Sequence, residues 1–359
     1  MKRILITGSE GYLGSFLVPY LKKKENYNVV GIDAGFFKKC TLYKDKNERT
    51  IYKDLRYITE SDLKNINTIV HLAGISNDPL NTLSSKAVYD PTRKYTLFLA
   101  KKAKKLGIRF IFASSCSVYG ATNNKLLLNE SSNTNPQTGY SLNKLQIEKD
   151  LKKIADKNFF PICLRFATIF GVSPRIRFDC VINMLTGMAL TTKKIILNSN
   201  GKAWRPHLYI EDACSAINEA IKYEKKKNDD KILILNVGRN DNNIKIIDIA
   251  KIIKKFVKGS KIIFLNKKKI KNNDLIFDRK IKGGHDVRTY KVLFNNINKK
   301  FINYSCVYTI EKGLKKMIQE LKKFKLNSKV FCNKKFYRLQ YFEYLHKKKL
   351  IDNSLKWKI

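Results

Sequence analysis

Three groups of residues in this chain have the types and spacing to do chemistry. The first is Tyr140 and Lys144 in "YSLNK", which share one face if the segment is helical. A free tyrosine has a pKa of about 10, too high for a base at neutral pH. An ammonium one turn away favours the phenolate, so the pair could act as a general base. In a chain with 72 Lys and Arg the spacing also arises by chance, so residues upstream must decide. The second is "SSCSVYG", where Ser115, Cys116 and Ser117 follow an apolar run and offer hydroxyl, thiol and hydroxyl in a row. The third is "TGSEGYLGS", with Gly8, Gly11 and Gly14 in a GxxGxxG spacing.

The glycine segment follows the apolar run "RILIT" directly and leads into a helical pattern. In that context Gly8 permits a tight turn, Gly11 lets backbone approach a pyrophosphate, and Gly14 lets helix pack on strand. The free N–H groups of the helix start then face the phosphates. Tyr12 and Leu13 lie inside the turn and belong to the same cofactor surface. Asp33 ends the next apolar run, 19 residues beyond Gly14, where a carboxylate would accept the adenosine ribose hydroxyls. Its charge would repel a 2′-phosphate, which favours NAD over NADP.

These groups need a frame. Apolar runs at 3–8, 27–33, 67–74, 109–115, 160–171 and 232–238 read as buried parallel strands, and helical patterns separate them. The expected fold is α/β: a Rossmann-like, doubly wound parallel sheet with a smaller, mixed C-terminal substrate domain. The NAD-binding domain is expected over 1–170, with a return segment at about 206–240. The substrate-binding domain would take 171–205 and 241–323, and 324–359 is a basic, aromatic C-terminal extension. The 43% hydrophobic content across 359 residues suits a large core and opposes disorder. No run reaches the roughly 18 apolar residues of a membrane span. The first residues carry no cleavage pattern, so the cytoplasm is the expected location. Seven scattered Cys without a CxxC pair argue for a reducing compartment, against a disulfide framework and against a metal site.

The formal charge of +42 would ordinarily suggest nucleic acid. Only 13 of the 72 basic residues are Arg, and the Lys is spread along the chain beside Asn and Ile. A dedicated nucleic-acid surface would favour clustered Arg and exposed aromatics. Composition alone explains the charge more simply.

GxxGxxG, "HLAG", "SSCSVYG" and YxxxK in this order resemble the extended short-chain dehydrogenase/reductase family, in its NAD-dependent nucleotide-sugar epimerase/dehydratase branch. The resemblance covers about residues 1–320 and is most specific in the first 170. It implies that Tyr140 and Lys144 are the catalytic pair and that Ser115 bonds the reacting oxygen. Lys144 would also hold the nicotinamide ribose. Asp54 and Leu55 match an adenine-contacting pair, and Leu72, Ala73 and Gly74 match residues along the pyrophosphate and ribose. In the substrate half, the resemblance places Asn183 near the substrate phosphates, with Arg205 and Arg288 at arginine positions that reach the diphosphate. Arg175 and Arg177 are further candidates for gripping phosphate. The helices near Pro91 and Tyr140 are the family's usual dimer surface, implying a homodimer.

Departures from the family pattern narrow the reaction. The acid pair that 4,6-dehydratases place after the catalytic Ser or Thr is here Cys116 and Ser117, which opposes dehydration. Sugar-acid decarboxylases place Glu at Ser117, and the fucose-forming epimerase/reductases place Cys there. Cys116 stays a candidate to face the sugar, as an acid or base or as a small packed residue. Thr92 stands where the family usually has Asn. Among the family's reactions, the resemblance implies a C4 epimerase of a nucleoside-diphosphate sugar, of the UDP-glucose 4-epimerase kind, with a role in surface polysaccharide synthesis. An NAD(P)H-dependent reductase of a 4-keto nucleotide sugar would use the same Ser, Tyr and Lys. A basic, non-catalytic nucleic-acid-binding relative would need none of them.

Overall fold

The apolar runs become strands because β-branched and aromatic residues on both faces suit a sheet covered by helices on each side. In the computed structural model they are β1 (Arg3–Thr7), β2 (Asn28–Asp33), β4 (Thr68–His71), β5 (Arg109–Ser115), β7 (Ile162–Phe166) and β11 (Leu233–Val237). A short edge strand that the sequence pattern did not signal, β3 (Thr50–Tyr52), completes the sheet. All seven are parallel, in the order β11-β7-β5-β4-β1-β2-β3. The structure describes residues 1–43, 50–76, 85–122, 126–265 and 288–358.

Two helical layers cover this sheet. α1 (Tyr12–Lys24) and α5 (Ile210–Lys222) bury Leu17, Leu21, Ile217 and Ile221 on one face. On the other, α2 (Ser85–Lys105) and α3 (Gly139–Ile154) bury Leu99, Ala103, Ile147 and Leu151. Burial of each large side chain contributes about 1.5–3 kcal/mol. The chain runs outward from β1 to β2 and β3, then returns through β4 to the opposite edge. That reversal leaves a crevice at the carboxyl ends of β1 and β4, where doubly wound sheets bind their ligands.

The run 160–171, expected as one strand, is two. β7 ends at Phe166, and β8 (Thr168–Phe170) leaves for another sheet after Ala167 donates to Val237 O at 2.9 Å. β8 lies in a mixed sheet with β10 (Trp204–Tyr209) and β12 (Asn243–Lys245). Two small pairs, β9 (Lys194–Leu197) with β13 (Lys261–Phe264) and β6 (Leu127–Leu128) with β14 (Lys291–Val292), add to this part. α4 (Val181–Thr192), α6 (Ile246–Phe256) and α8 (Ile310–Lys323) build a second core around Phe170, Ile182, Ile249 and Leu314, while α7 (Asn295–Lys300) packs back on the first.

The C-terminal extension folds onto this frame as α9 (Ser328–Phe331) and α10 (Arg338–Lys347). Phe331 and Phe336 stack edge-on against Phe178, with ring centroids 5.0 and 5.8 Å away. Tyr341, Phe342, Leu345, Ile351 and Leu355 form a separate apolar cluster that takes in Phe36, Phe37 and Tyr140.

Candidate active site

The glycine turn is shaped by contacts that admit no side chain. Gly8 has φ +76, and a Cβ there would stand 2.7 Å from the Ala73 nitrogen. A Cβ on Gly14 would sit 2.1 Å from the Gly8 carbonyl, so α1 crosses β1 only because that position is bare. At the end of β2, Asp33 accepts N–H bonds from Glu10 at 3.0 Å and Gly35 at 2.7 Å. Burial nevertheless raises its pKa to about 6, above what those two donors recover. A carboxylate held at such a cost has acceptor capacity left for hydroxyl donors. It lines a cavity of ≈ 130 Å³ with Gly8, Gly11, Asp54, Leu55, Leu72, Ala73 and Gly74. The sequence-predicted cofactor residues thus converge, and the donor set fits a ribose and pyrophosphate.

The cavity continues into a cleft of ≈ 1110 Å³, lined by Gly11, Tyr12, Leu13, Gly14, Ser115, Ser117, Tyr140 and Lys144. Tyr140 and Lys144 are fixed by the start of α3. Thr138 caps the helix by accepting the Ser141 N–H at 3.2 Å, and Ser141 Oγ accepts the Thr138 N–H at 3.1 Å. The Lys144 Nζ lies 5.7 Å from the Tyr140 ring centre and 4.6 Å from that of Phe112. It donates to Ala113 O at 2.6 Å. Burial lowers the Lys144 pKa to about 8, while Glu148 on the next turn pulls it back up. Ser115 ends β5, and its Oγ accepts the Ser117 N–H at 3.1 Å.

A buried polar network supports this wall. Glu148 takes Arg165 Nη2 at 2.7 Å and Nε at 3.0 Å, and it also accepts the Ser114 hydroxyl. Arg165 Nη1 donates to Tyr119 OH at 3.0 Å, which in turn donates to Asn236 Oδ1 at 2.9 Å. The α2–α3 link is made by Asn143, whose Nδ2 donates to Tyr89 O at 2.9 Å, and by Arg93 with Asp150. Thr92, in the position where Asn was expected, lines the cofactor cavity instead.

Residues 4–238 match the NAD dependent epimerase/dehydratase family, well over half of the chain. The chain belongs to this family. Over 234 residues it is 30% identical to the "Uncharacterized UDP-glucose epimerase YtcB" of Bacillus subtilis, covering 61% of this chain and 72% of that protein. Over 338 residues it is 29% identical to protein MJ1055 of Methanocaldococcus jannaschii, covering 88% and 94% respectively. Among solved structures, UDP-glucuronic acid 4-epimerase from Bacillus cereus with UDP-glucuronic acid and NAD superposes with a TM-score of 0.71. It is 24% identical, and the match covers 89% of this chain and 99% of the other. The family is NAD-dependent, and the chain is an enzyme of the epimerase/dehydratase type.

Two of the expected substrate-binding residues, Cys116 and Asn183, do not line the cleft. Cys116 does not reach the cleft: it is 1% exposed and its Sγ donates to Arg165 O at 3.1 Å. Burial pushes its thiol pKa far up, so it is a small packed residue. The reason is the tight turn after β5, which aims Ser115 and Ser117 outward and Cys116 into the core. Asn183 is fully buried and its amide is committed. Its Oδ1 accepts Gly171 N–H at 3.1 Å, and its Nδ2 donates to Tyr12 OH at 3.2 Å and Arg177 O at 2.9 Å. It ties the "RIRFD" loop to the glycine turn.

The arginines divide in the same way. Arg205 and Arg288 line the cleft together, with Arg205 donating to Arg288 O and its guanidinium 5.3 Å from the Tyr290 ring. Arg177 also lines it, paired with Asp179 at 2.9 Å and donating to Ser76 Oγ at 2.6 Å. Arg175 is buried against Glu10 and lies outside it.

Sequence reasoning singled out Ser117 without giving it a place in the site, and missed a second set of residues altogether. Ser117 lines the cleft with a buried hydroxyl that has no hydrogen-bond partner among the described residues. α10 contributes Arg338, Gln340 and Glu343, of which the last two stand on one helix face. The aromatic spacing in "FYRLQYFEYL" was the available signal, since Phe336, Tyr337, Tyr341 and Phe342 recur at helical intervals. Which part of the fold that face meets is not written in the segment.

Proposed function

We propose that the enzyme epimerises C4 of a nucleoside-diphosphate sugar. The observation that carries this reading is that Ser115, Tyr140 and Lys144 share one cleft with the glycine turn. Tyr140 takes the C4 hydroxyl proton, Lys144 keeps the phenolate favoured, and Ser115 holds the reacting oxygen. NAD+, when bound, supplies the hydride acceptor that later returns the hydride to the opposite face of the 4-keto sugar. Arg205 and Arg288, which line the same cleft, would grip the diphosphate, and its ≈ 1110 Å³ leaves room for the sugar to turn. Neither Cys116 in the core nor Ser117 offers the carboxylic acid that water removal needs.

In this reading residues 1–170 and about 206–240 hold the cofactor, while 171–205 and 241–323 hold the sugar nucleotide. A homodimer through α2 and α3 is supported by Phe98 and Leu142, large apolar residues on those helices that are 42% and 45% exposed. No helix among the described residues is long and apolar enough to cross a membrane. A cytoplasmic role in supplying sugars for surface polysaccharide fits this chemistry.

The test is mass spectrometry of products from UDP-, GDP-, CDP- and dTDP-sugars without added NADH. An isobaric product with a new retention time supports epimerisation. Loss of water, or reaction of a keto sugar only when NADH is supplied, refutes it.

A further inference from the structure

We infer that the C-terminal extension is part of the NAD site, a clasp that closes the adenosine end and retains the dinucleotide between turnovers. The cavity at Asp33 and Leu55 is not walled by the sheet ends alone: Phe342, Ser354 and Leu355 of the extension form its outer side. Those residues lie about 300 positions beyond the β2 and β3 loops that they cover.

The clasp is fastened at both ends, at its start beside the cleft and at its far end to the cofactor site. At its start, the Arg338 N–H donates to Asp179 Oδ2 at 3.2 Å. The Arg338 guanidinium donates to Arg175 O at 2.8 Å and lies 4.0 Å from the centre of the Phe37 ring. At its far end, Arg56, the residue after the Asp54–Leu55 pair, donates to Ser354 O at 2.8 Å and Leu355 O at 2.9 Å. The same guanidinium is held by Asp54 at 2.9 Å, so the adenine-side residues and the clasp share one latch. Trp357 completes the closure. Its indole N–H donates to Ala34 O at 2.6 Å, beside Asp33, and its ring stacks on Phe36 at 5.4 Å. An antiparallel β-bridge between Ile351 and Trp357 folds the end of the chain back on itself.

The ligand class follows from the walls. Apolar rings line a cavity with two carboxylates, of which Asp54 is paired with Arg56 and Asp33 remains to accept hydroxyls, which suits an adenosine over one with a 2′-phosphate. Among the described residues the one guanidinium on that lining, Arg56, is already bound to Asp54 and the clasp. The adenosine end of a dinucleotide seated there is covered by the clasp. An enzyme that returns the hydride it took need never exchange its cofactor, so such a closure does not slow it. The purpose of the clasp rests on the redox-neutral reading, but its effect on cofactor release does not.

The experiment loads full-length protein with radiolabelled NAD and follows its release into excess unlabelled NAD. The variants are Trp357→Ala, which removes stack and N–H together, and Trp357→Phe, which keeps a ring and loses only the hydrogen bond. Thermal unfolding is measured on both. Slow release from the natural protein, faster by about tenfold or more in Trp357→Ala and by an intermediate factor in Trp357→Phe, supports the clasp. If Trp357→Ala unfolds, Trp357→Phe decides alone. Release from folded variants at the natural rate overturns the proposal, as does rapid release from the natural protein. Because no sugar is present, failure of the epimerase reading leaves this result intact.

Discussion

Replacing Lys144 by Met tests how the cleft makes a base of a tyrosine. The ammonium lies 5.7 Å from the Tyr140 ring centre, inside the protein. At an effective dielectric constant of about 20, a full charge at that separation is worth about 3 kcal/mol to the phenolate. That corresponds to about two pH units. The assay is a pH–rate profile of kcat with saturating sugar nucleotide and NAD. On the proposed mechanism, activity of the natural enzyme should rise as the base loses its proton and fall as Lys144 loses its own. The Lys144 pKa, lowered by burial to about 8, sets the falling limb: the ammonium is present below that pH and lost above it. In Lys144→Met the falling limb should vanish and the rising limb should move up by about two units, with about a 100-fold loss at pH 7 that recovers toward pH 10. A loss that is the same at every pH would refute the electrostatic argument and leave Lys144 only a cofactor-holding role.

Three further outcomes follow from the buried groups. Asp33→Asn should weaken NAD binding by at least about tenfold while leaving the ligand-free protein no less stable at pH 7. The sign follows from burial, which raises the Asp33 pKa from 3.8 to about 6: its protonated form favours the fold, and that contribution, about 3 kcal/mol, is lost as pH rises through this range. Titration of NAD affinity and thermal unfolding read the two effects, and a large fall in stability would contradict the account. Glu148→Gln strands the Arg165 guanidinium in the core and should cost about 3–5 kcal/mol in denaturant unfolding; an unchanged midpoint would show that the pair is dispensable. Cys116→Ala should keep kcat within about threefold, since the thiol faces Arg165 O and not the sugar. A loss of about a hundredfold would return the thiol to the chemistry.

What the sequence revealed was local. A tight turn with Gly at three spaced positions, an acid at the next strand end, and Tyr and Lys one turn apart each depend on a few neighbouring residues. The strands that carry them are mostly apolar runs and so could be read directly, as at Arg3–Thr7. What it hid depends on register or on distant packing. Cys116 and Ser117 differ by one position in a tight turn, and that step alone sends one side chain into the core and the other into the cleft. Asn183 has a spacing that suits a ligand, yet Tyr12, Gly171 and Arg177 reach it first. β3 is three residues long and half exposed, too short for a period to declare itself. The extension's aromatic residues predicted a packed helix but not its destination, since Phe36 and Phe37 lie at the other end of the chain.

The central claim is that C4 is inverted by removing and returning the same hydride, with Tyr140 handling only the hydroxyl proton. The most direct measurement is to run the reaction in D2O without added NADH and determine deuterium in the epimerised product after its hydroxyls are washed back to protium. The account predicts an isobaric epimer with no carbon-bound deuterium, and none at all from Tyr140→Phe. Deuterium on a ring carbon would mean that a C–H proton is exchanged with solvent, and it would contradict the account.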